Sequence, residues 1–127
     1  LKDIRDRVDD QFMLYSGDDF TVLPFIAAGG HGVITVSGNV APAAMSRLCA
    51  LATAGKLDKA RELDNSLQPL NSALFIESNP IPVKWALAQM GLIQPNMRLP
   101  LTEHEPQYHE GMRAAMANAG ITLENAA

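Results

Sequence analysis

The sequence predicts an α/β fold, with one parallel strand–helix–strand unit near its start and helix over most of the rest. Three observations lead there. Two short apolar runs, Phe12-Met13-Leu14-Tyr15 and Val33-Ile34-Thr35-Val36, are β-prone, and small or polar residues that turn the chain close each of them. A helix-length segment, residues 20–28, separates the runs, and strand, helix, strand is the order a parallel pair requires. Both runs are apolar without alternation, which is the pattern of strands buried on both faces.

The elements follow in order from local signals. Leu1, Ile4 and Val8 recur at helical spacing, so the chain is expected to open inside a surface helix. It starts without an initiator Met, and two parallel strands alone would leave most sheet edges and faces uncovered. On both counts it reads as the end of something longer. Asp18 and Asp19 suit a helix N-cap, and Pro24 is tolerated near a first turn or else kinks the helix. Gly29-Gly30-His31-Gly32 ends that helix and leads into the second strand. Pro42 suits a first helical position, Met45, Leu48, Cys49 and Ala52 form an apolar face, and Gly55 stops the helix.

A long stripe follows, Leu57, Ala60, Leu63, Leu67, Leu70 and Leu74, interrupted by Pro69, where a bend is expected. Asn79-Pro80-Ile81-Pro82 breaks the chain, because a residue before proline is pushed out of the α region. The next helix carries Val83, Ala86, Leu87 and Met90 on one face and ends at Gly91. Residues 94–105 read as an irregular connector with Pro95 and Pro100. A last helix over residues 106–119 turns Tyr108, Met112, Ala115, Met116 and Ala119 inward, with Gly120 as its stop. Residues 121–127 read as a loose tail.

Composition narrows the function classes. The 127 residues suffice for one domain, and 47% hydrophobic with 19% charged residues excludes a disordered chain. A formal charge of −4 argues against general affinity for nucleic acid or anionic membranes. No apolar run approaches the ~20 residues of a membrane span, and no signal peptide is visible. Cys49 is the single cysteine, which leaves no intramolecular disulfide and points to a reducing, cytoplasmic setting.

Among candidate sites, Ser16-Gly17-Asp18-Asp19 leaves the C-terminal end of the first strand, the edge where α/β folds bind ligands. Its glycine would let a ligand approach the backbone, and its two carboxylates could hold an amine or hydroxyl. The competing reading has the aspartates capping the helix and facing water, and residue types alone favour it. Ser37, Gly38 and Asn39 at the second strand end are weaker candidates, and Ile34 alone reads as core. His104 and His109 lie among Glu103, Glu105 and Glu110, but a separation of five does not stack two ligands on one helix face. His31 reads as a turn residue and Cys49 as core. Lys84 beside Trp85 is either a buried amine suited to Schiff-base chemistry or, more simply, a snorkelling surface lysine. No Walker or Rossmann fingerprint is present. The residues alone support a ligand-facing strand edge and no particular reaction.

Several blocks in sequence resemble one family. Leu14-Tyr15-Ser16-Gly17-Asp18-Asp19, then Gly29-Gly30-His31-Gly32-Val33-Ile34-Thr35-Val36, then Asn39-Val40-Ala41-Pro42 are similar to the dihydrodipicolinate synthase (4-hydroxy-tetrahydrodipicolinate synthase) family. Leu74-Phe75-Ile76-Glu77-Ser78-Asn79-Pro80-Ile81-Pro82-Val83-Lys84-Trp85-Ala86 and Arg98-Leu99-Pro100-Leu101-Thr102 continue the resemblance, which covers nearly all of residues 1–120. It implies the C-terminal part of a (β/α)8 TIM barrel: its last two strands within residues 1–55, then a helical C-terminal extension over residues 56–127. Such a barrel takes ~250 residues, so Leu1 would fall in the helix before the seventh strand.

The family reaction condenses pyruvate with aspartate semialdehyde in lysine (diaminopimelate) biosynthesis. A lysine ending the sixth strand forms a Schiff base with pyruvate, the enamine attacks the aldehyde, and a tyrosine and a threonine from earlier strands relay protons. The resemblance places none of these catalytic groups in this chain, and Lys84 does not match the lysine motif. Ile34 matches the pyruvate-contacting residue of the eighth strand, and Gly17 and Asp18 match residues at the mouth where the second substrate enters. Inward residues at C-terminal strand ends are where catalysis sits in a barrel, which moves all three toward the site.

No cofactor and no metal are expected. The implied partners are the two substrates, the missing N-terminal barrel half, and further copies of the enzyme, since the family is usually tetrameric. The alternatives are another Schiff-base aldolase of the N-acetylneuraminate lyase type and, for this chain by itself, an inactive assembly fragment.

Overall fold

In the computed structural model, which describes residues 1–123, the two apolar runs pair in parallel over two residues each. Strand β1 is Tyr15–Ser16 and β2 is Gly32–Val33, with Tyr15 opposite Gly32 and Ser16 opposite Val33. Bonds from His31 N to Leu14 O and from Ile34 N to Ser16 O, both 2.8 Å, flank the pair. The expected four-residue strands over 12–15 and 33–36 are therefore too long, and their expected burial on both faces is wrong. Phe12, Met13, Tyr15 and Ile34 are 54%, 51%, 53% and 73% exposed. Each strand has one neighbour, so the ladder stops where a second would extend it, and among the described residues no further strand pairs on that side.

The opening helix, α1 at Lys2–Arg5, is a single turn with Ile4 half exposed, shorter than its apolar spacing predicts. Between the strands, a 3-10 turn at Asp19–Thr21 runs into α2, Val22–Ala27, with Pro24 in its first turn. Gly29 takes the left-handed conformation at φ 94° that ends α2, and Arg5 Nη1 donates to its carbonyl. After β2, a 3-10 turn at Ser37–Asn39 leads into α3, Pro42–Thr53, with Pro42 at its first position as expected. Helix α4 spans Leu57–Leu74 and α5 spans Ile81–Gln89. The connector is irregular until a 3-10 turn at Pro106–Tyr108 enters α6, His109–Asn118.

The core lies where α3, α4 and α6 meet. Leu48, Leu67, Leu70, Leu74, Met112 and Met116 are all essentially inaccessible, each contributing about 1.5–3 kcal/mol by leaving water. The α4 stripe holds at Ala60, Leu67, Leu70 and Leu74, while Leu57 is exposed and Leu63 half-buried. Two polar residues, Asp64 and Asn71, occupy buried positions on this helix that an apolar stripe does not reveal. Helix α4 runs unbroken through Pro69, whose exposed position keeps the ring away from the core. On α5 the buried residues are Ile81, Pro82, Val83, Trp85 and Ala86, whereas Leu87 and Met90 are half-buried. Helix α5 packs against α4, α6 and the turn after β2, so no single face describes it. Of the expected tail, Ile121 and Leu123 pack on the core, and Ile121 N donates to Met116 O at 3.0 Å. Residues 124–127 of that tail lie outside the described residues.

Candidate substrate-binding edge

The turns that follow β1 and β2 come together at one edge. Ser16 is buried, and its hydroxyl accepts from Asp18 N at 3.1 Å, which shapes the tight exit from the strand. Gly17 is exposed, and a Cβ there would meet nothing within 4 Å. No contact among the described residues therefore demands glycine at that point. Asp18, half-buried, is the N-cap: it accepts from Phe20 N at 3.3 Å and from the Thr21 hydroxyl at 2.6 Å. Ile34, the next residue after β2, presents an exposed side chain. The backbone bond from Ile34 N to Ser16 O holds the β2 end beside the Ser16–Gly17 turn.

Asp19 behaves differently from its neighbour. Although the same capping reading fits both aspartates, Asp19 is 1% exposed, and one of its carboxylate oxygens accepts from Val36 N at 2.9 Å and Ser37 N at 3.1 Å. The other oxygen is buried without a partner among the described residues. Ser37 is also inaccessible and donates to Asn71 Oδ1 at 2.5 Å, while Asn71 Nδ2 donates to the Asp19 carbonyl at 3.3 Å. Ser37 is thus occupied inside the fold. Gly38 N donates to the Thr35 hydroxyl, and Asn39 Nδ2 donates to Val36 O at 3.0 Å, so both tie down their own turn. The role of Asn71 was missed from sequence; a lone Asn within the leucine stripe of α4 is the signal that could have flagged it.

The histidines form a structural clasp. His104 is buried, its Nδ1 meets Glu77 Oε2, and Glu105 N donates to the same carboxylate at 3.2 Å. His109 Nε2 lies 3.0 Å from His104 O, and its ring stacks on Trp85 at 4.5 Å between centroids. The two imidazoles do meet, 5.4 Å apart, because His104 lies in the connector and helical spacing does not govern it. Among the described residues no group of three His, Cys, Asp or Glu side chains could hold a metal ion. His31 accepts from Leu14 N through Nδ1 at 2.9 Å, a turn role as read. Lys84 is half-buried and donates to Asn96 O at 2.9 Å, and burial pushes the Cys49 thiol up.

Outside this edge, Asp64 lines a 590 Å³ cavity between α2 and α4 with Leu23, Pro24, Ala27 and Arg61. Burial raises its carboxyl above the ordinary 3.8, opposed in part by a hydrogen bond from Gln68. The native state therefore binds the Asp64 proton more tightly than the unfolded chain, and stability falls as pH rises from 3.8 through the raised native value. Replacing Asp64 with Asn is expected to raise the melting temperature at pH 7. The gain should vanish in melts run below pH 3.8, where both states are protonated.

The sequence profile of the Dihydrodipicolinate synthetase family matches residues 1–119. The chain belongs to this family. It is 54% identical over 121 residues to a 4-hydroxy-tetrahydrodipicolinate synthase of Nitrosomonas europaea, covering 95% of this chain and 41% of that protein. The Acinetobacter baumannii dihydrodipicolinate synthase, solved in complex with pyruvate, superposes with a TM-score of 0.90 at 46% identity. That match covers 95% of this chain and 42% of the other. The Aquifex aeolicus dihydrodipicolinate synthase gives 0.93 at 39% identity, over 97% of this chain and 42% of that one. The chain thus spans about two-fifths of the length of its relatives. Its fold is the C-terminal part of a (β/α)8 barrel, the last two strands, followed by a helical extension. Among the described residues, no helix is long and apolar enough to cross a membrane.

Proposed function

We propose that this chain forms the C-terminal part of a pyruvate-dependent Schiff-base lyase, condensing pyruvate with aspartate semialdehyde on the route to lysine through diaminopimelate. The observation that carries the reading is the overlay, at 46% identity, with an enzyme solved in complex with pyruvate. Relatives more than half identical and named 4-hydroxy-tetrahydrodipicolinate synthase support it further.

In this reading Ile34 contacts pyruvate, and Gly17 and Asp18 stand at the mouth through which the second substrate enters. Three features of this edge support the reading. Ile34 offers an exposed apolar side chain, Gly17 leaves the backbone open, and Asp18 beside it carries a half-buried carboxylate. An apolar wall beside the ketone of pyruvate would exclude water from the enamine, and an open glycine turn gives a second substrate room to approach. The barrel part ends at Gly55 and the extension begins at Lys56. The remaining three-fifths of the enzyme, with the other six strands of the barrel, supplies the lysine and the proton relay, and it covers the exposed strand faces, so this chain alone is inactive. The whole enzyme is cytoplasmic and tetrameric and needs no metal or cofactor.

The experiment is a chimera in which this chain replaces the matching part of the Nitrosomonas europaea relative. Turnover of pyruvate with aspartate semialdehyde, and none of N-acetylneuraminate, is the expected result. The opposite preference would assign the chain to the N-acetylneuraminate lyase type.

A further inference from the structure

The segment from β2 into α3 is held from two sides. Ile34 N donates to Ser16 O at 2.8 Å, and two residues later Val36 N and Ser37 N are held by the Asp19 carboxylate. Between these anchors the only slack is Thr35, whose hydroxyl is engaged by Gly38 N at 2.9 Å. Asp19 is fixed in turn. Its carbonyl accepts from Asn71 of α4, and Asn71 accepts from Ser37, which closes a ring of three residues. Each is at most 1% exposed, so water cannot replace a bond that the ring loses. A helix outside the strand pair thereby determines where the β2 end stands.

We propose that Asn71, acting through Ser37 and Asp19, is a positioning residue that sets Ile34 against pyruvate from α4 and so tunes pyruvate affinity. The proposal rests on Ile34 being the pyruvate-contacting residue. Catalytic and binding groups must be held within about 0.5 Å by their supporting contacts, and an error near 1 Å can cost two orders of magnitude. Asn71 touches no reacting group in this arrangement; its effect passes entirely through the strand end.

The test uses the whole chimera carrying Asn71→Ala or the milder Ser37→Ala, beside Met116→Ala as a core control of comparable melting temperature. Hydrogen exchange needs no turnover. The amides of Ile34, Val36 and Ser37 should exchange at least about tenfold faster in the first two variants and keep their protection in the control. In steady-state kinetics the KM for pyruvate should rise about tenfold, with kcat and the KM for aspartate semialdehyde within about twofold. Unchanged exchange at these amides, or faster exchange with an unchanged pyruvate KM, overturns the proposal. An equal KM rise in Met116→Ala also overturns it, since that would be a general loss of stability. If the unsubstituted chimera forms no Schiff base with pyruvate, the functional reading fails instead, and the exchange result still decides whether Asn71 holds the strand end.

Discussion

Borohydride added with pyruvate to this polypeptide alone is expected to leave it without a stoichiometric adduct, while the chimera gains one adduct per chain. A Schiff base needs a neutral amine at neutral pH, which proteins obtain by burying a lysine or placing it next to another cation. The chain has four lysines, Lys2, Lys56, Lys59 and Lys84. The first three are exposed, and Lys84 is half-buried with its ammonium occupied in a hydrogen bond to the Asn96 carbonyl. None of them lies at the edge formed by Gly17 and Ile34. Intact-mass measurement followed by peptide mapping checks the expectation. A stoichiometric adduct on any of these four lysines would sink the claim that the chain is inactive alone. In the chimera, the adduct should map to the part contributed by the relative.

Replacing Asp19 with Ala is expected to destabilise the chimera by about 3–5 kcal/mol, among the largest effects of any single polar substitution in the chain. Two buried backbone N–H groups, of Val36 and Ser37, would lose a charged acceptor, each such bond being worth about 1.5–3 kcal/mol. Asp19→Asn keeps one oxygen for the pair and should cost less than half as much. Asp18→Ala removes an N-cap on a half-buried surface and should cost about 1 kcal/mol. Urea denaturation of the three variants checks the ranking. Equal losses at Asp18 and Asp19 would show that the buried network contributes nothing beyond capping.

The parts of the fold that were legible are those written in local chemistry. Pro42 at a first helical position, the stops at Gly55, Gly91 and Gly120, and the core faces of α3 and α6 all follow from backbone sterics and 3.6-residue periodicity. Strand length was not legible, because a strand ends where its partner ends. Residues 12–15 and 33–36 have the composition of long buried strands but find only one neighbour each among the described residues. The burial of Leu57 was overestimated for a related reason: periodicity marks the inward face of a helix but not how far along it the neighbouring elements reach.

The candidate site divides along the same line. Gly17 and Asp18 were candidates from their place after a strand end, and Ile34 became one only through family resemblance; the structure brings the two strand ends to one edge. Asp18 and Asp19 are adjacent and chemically identical, so local reasoning could not separate a half-exposed cap from a buried anchor.

The sequence by itself determined the order of elements, the glycine stops of the later helices and the family, since these depend on residue type and spacing along the chain. Only the tertiary structure decided that Asp19, Ser37 and Asn71 form one buried network. Its bonds join residues as much as 52 positions apart, and they count energetically only because the fold removes water from all three.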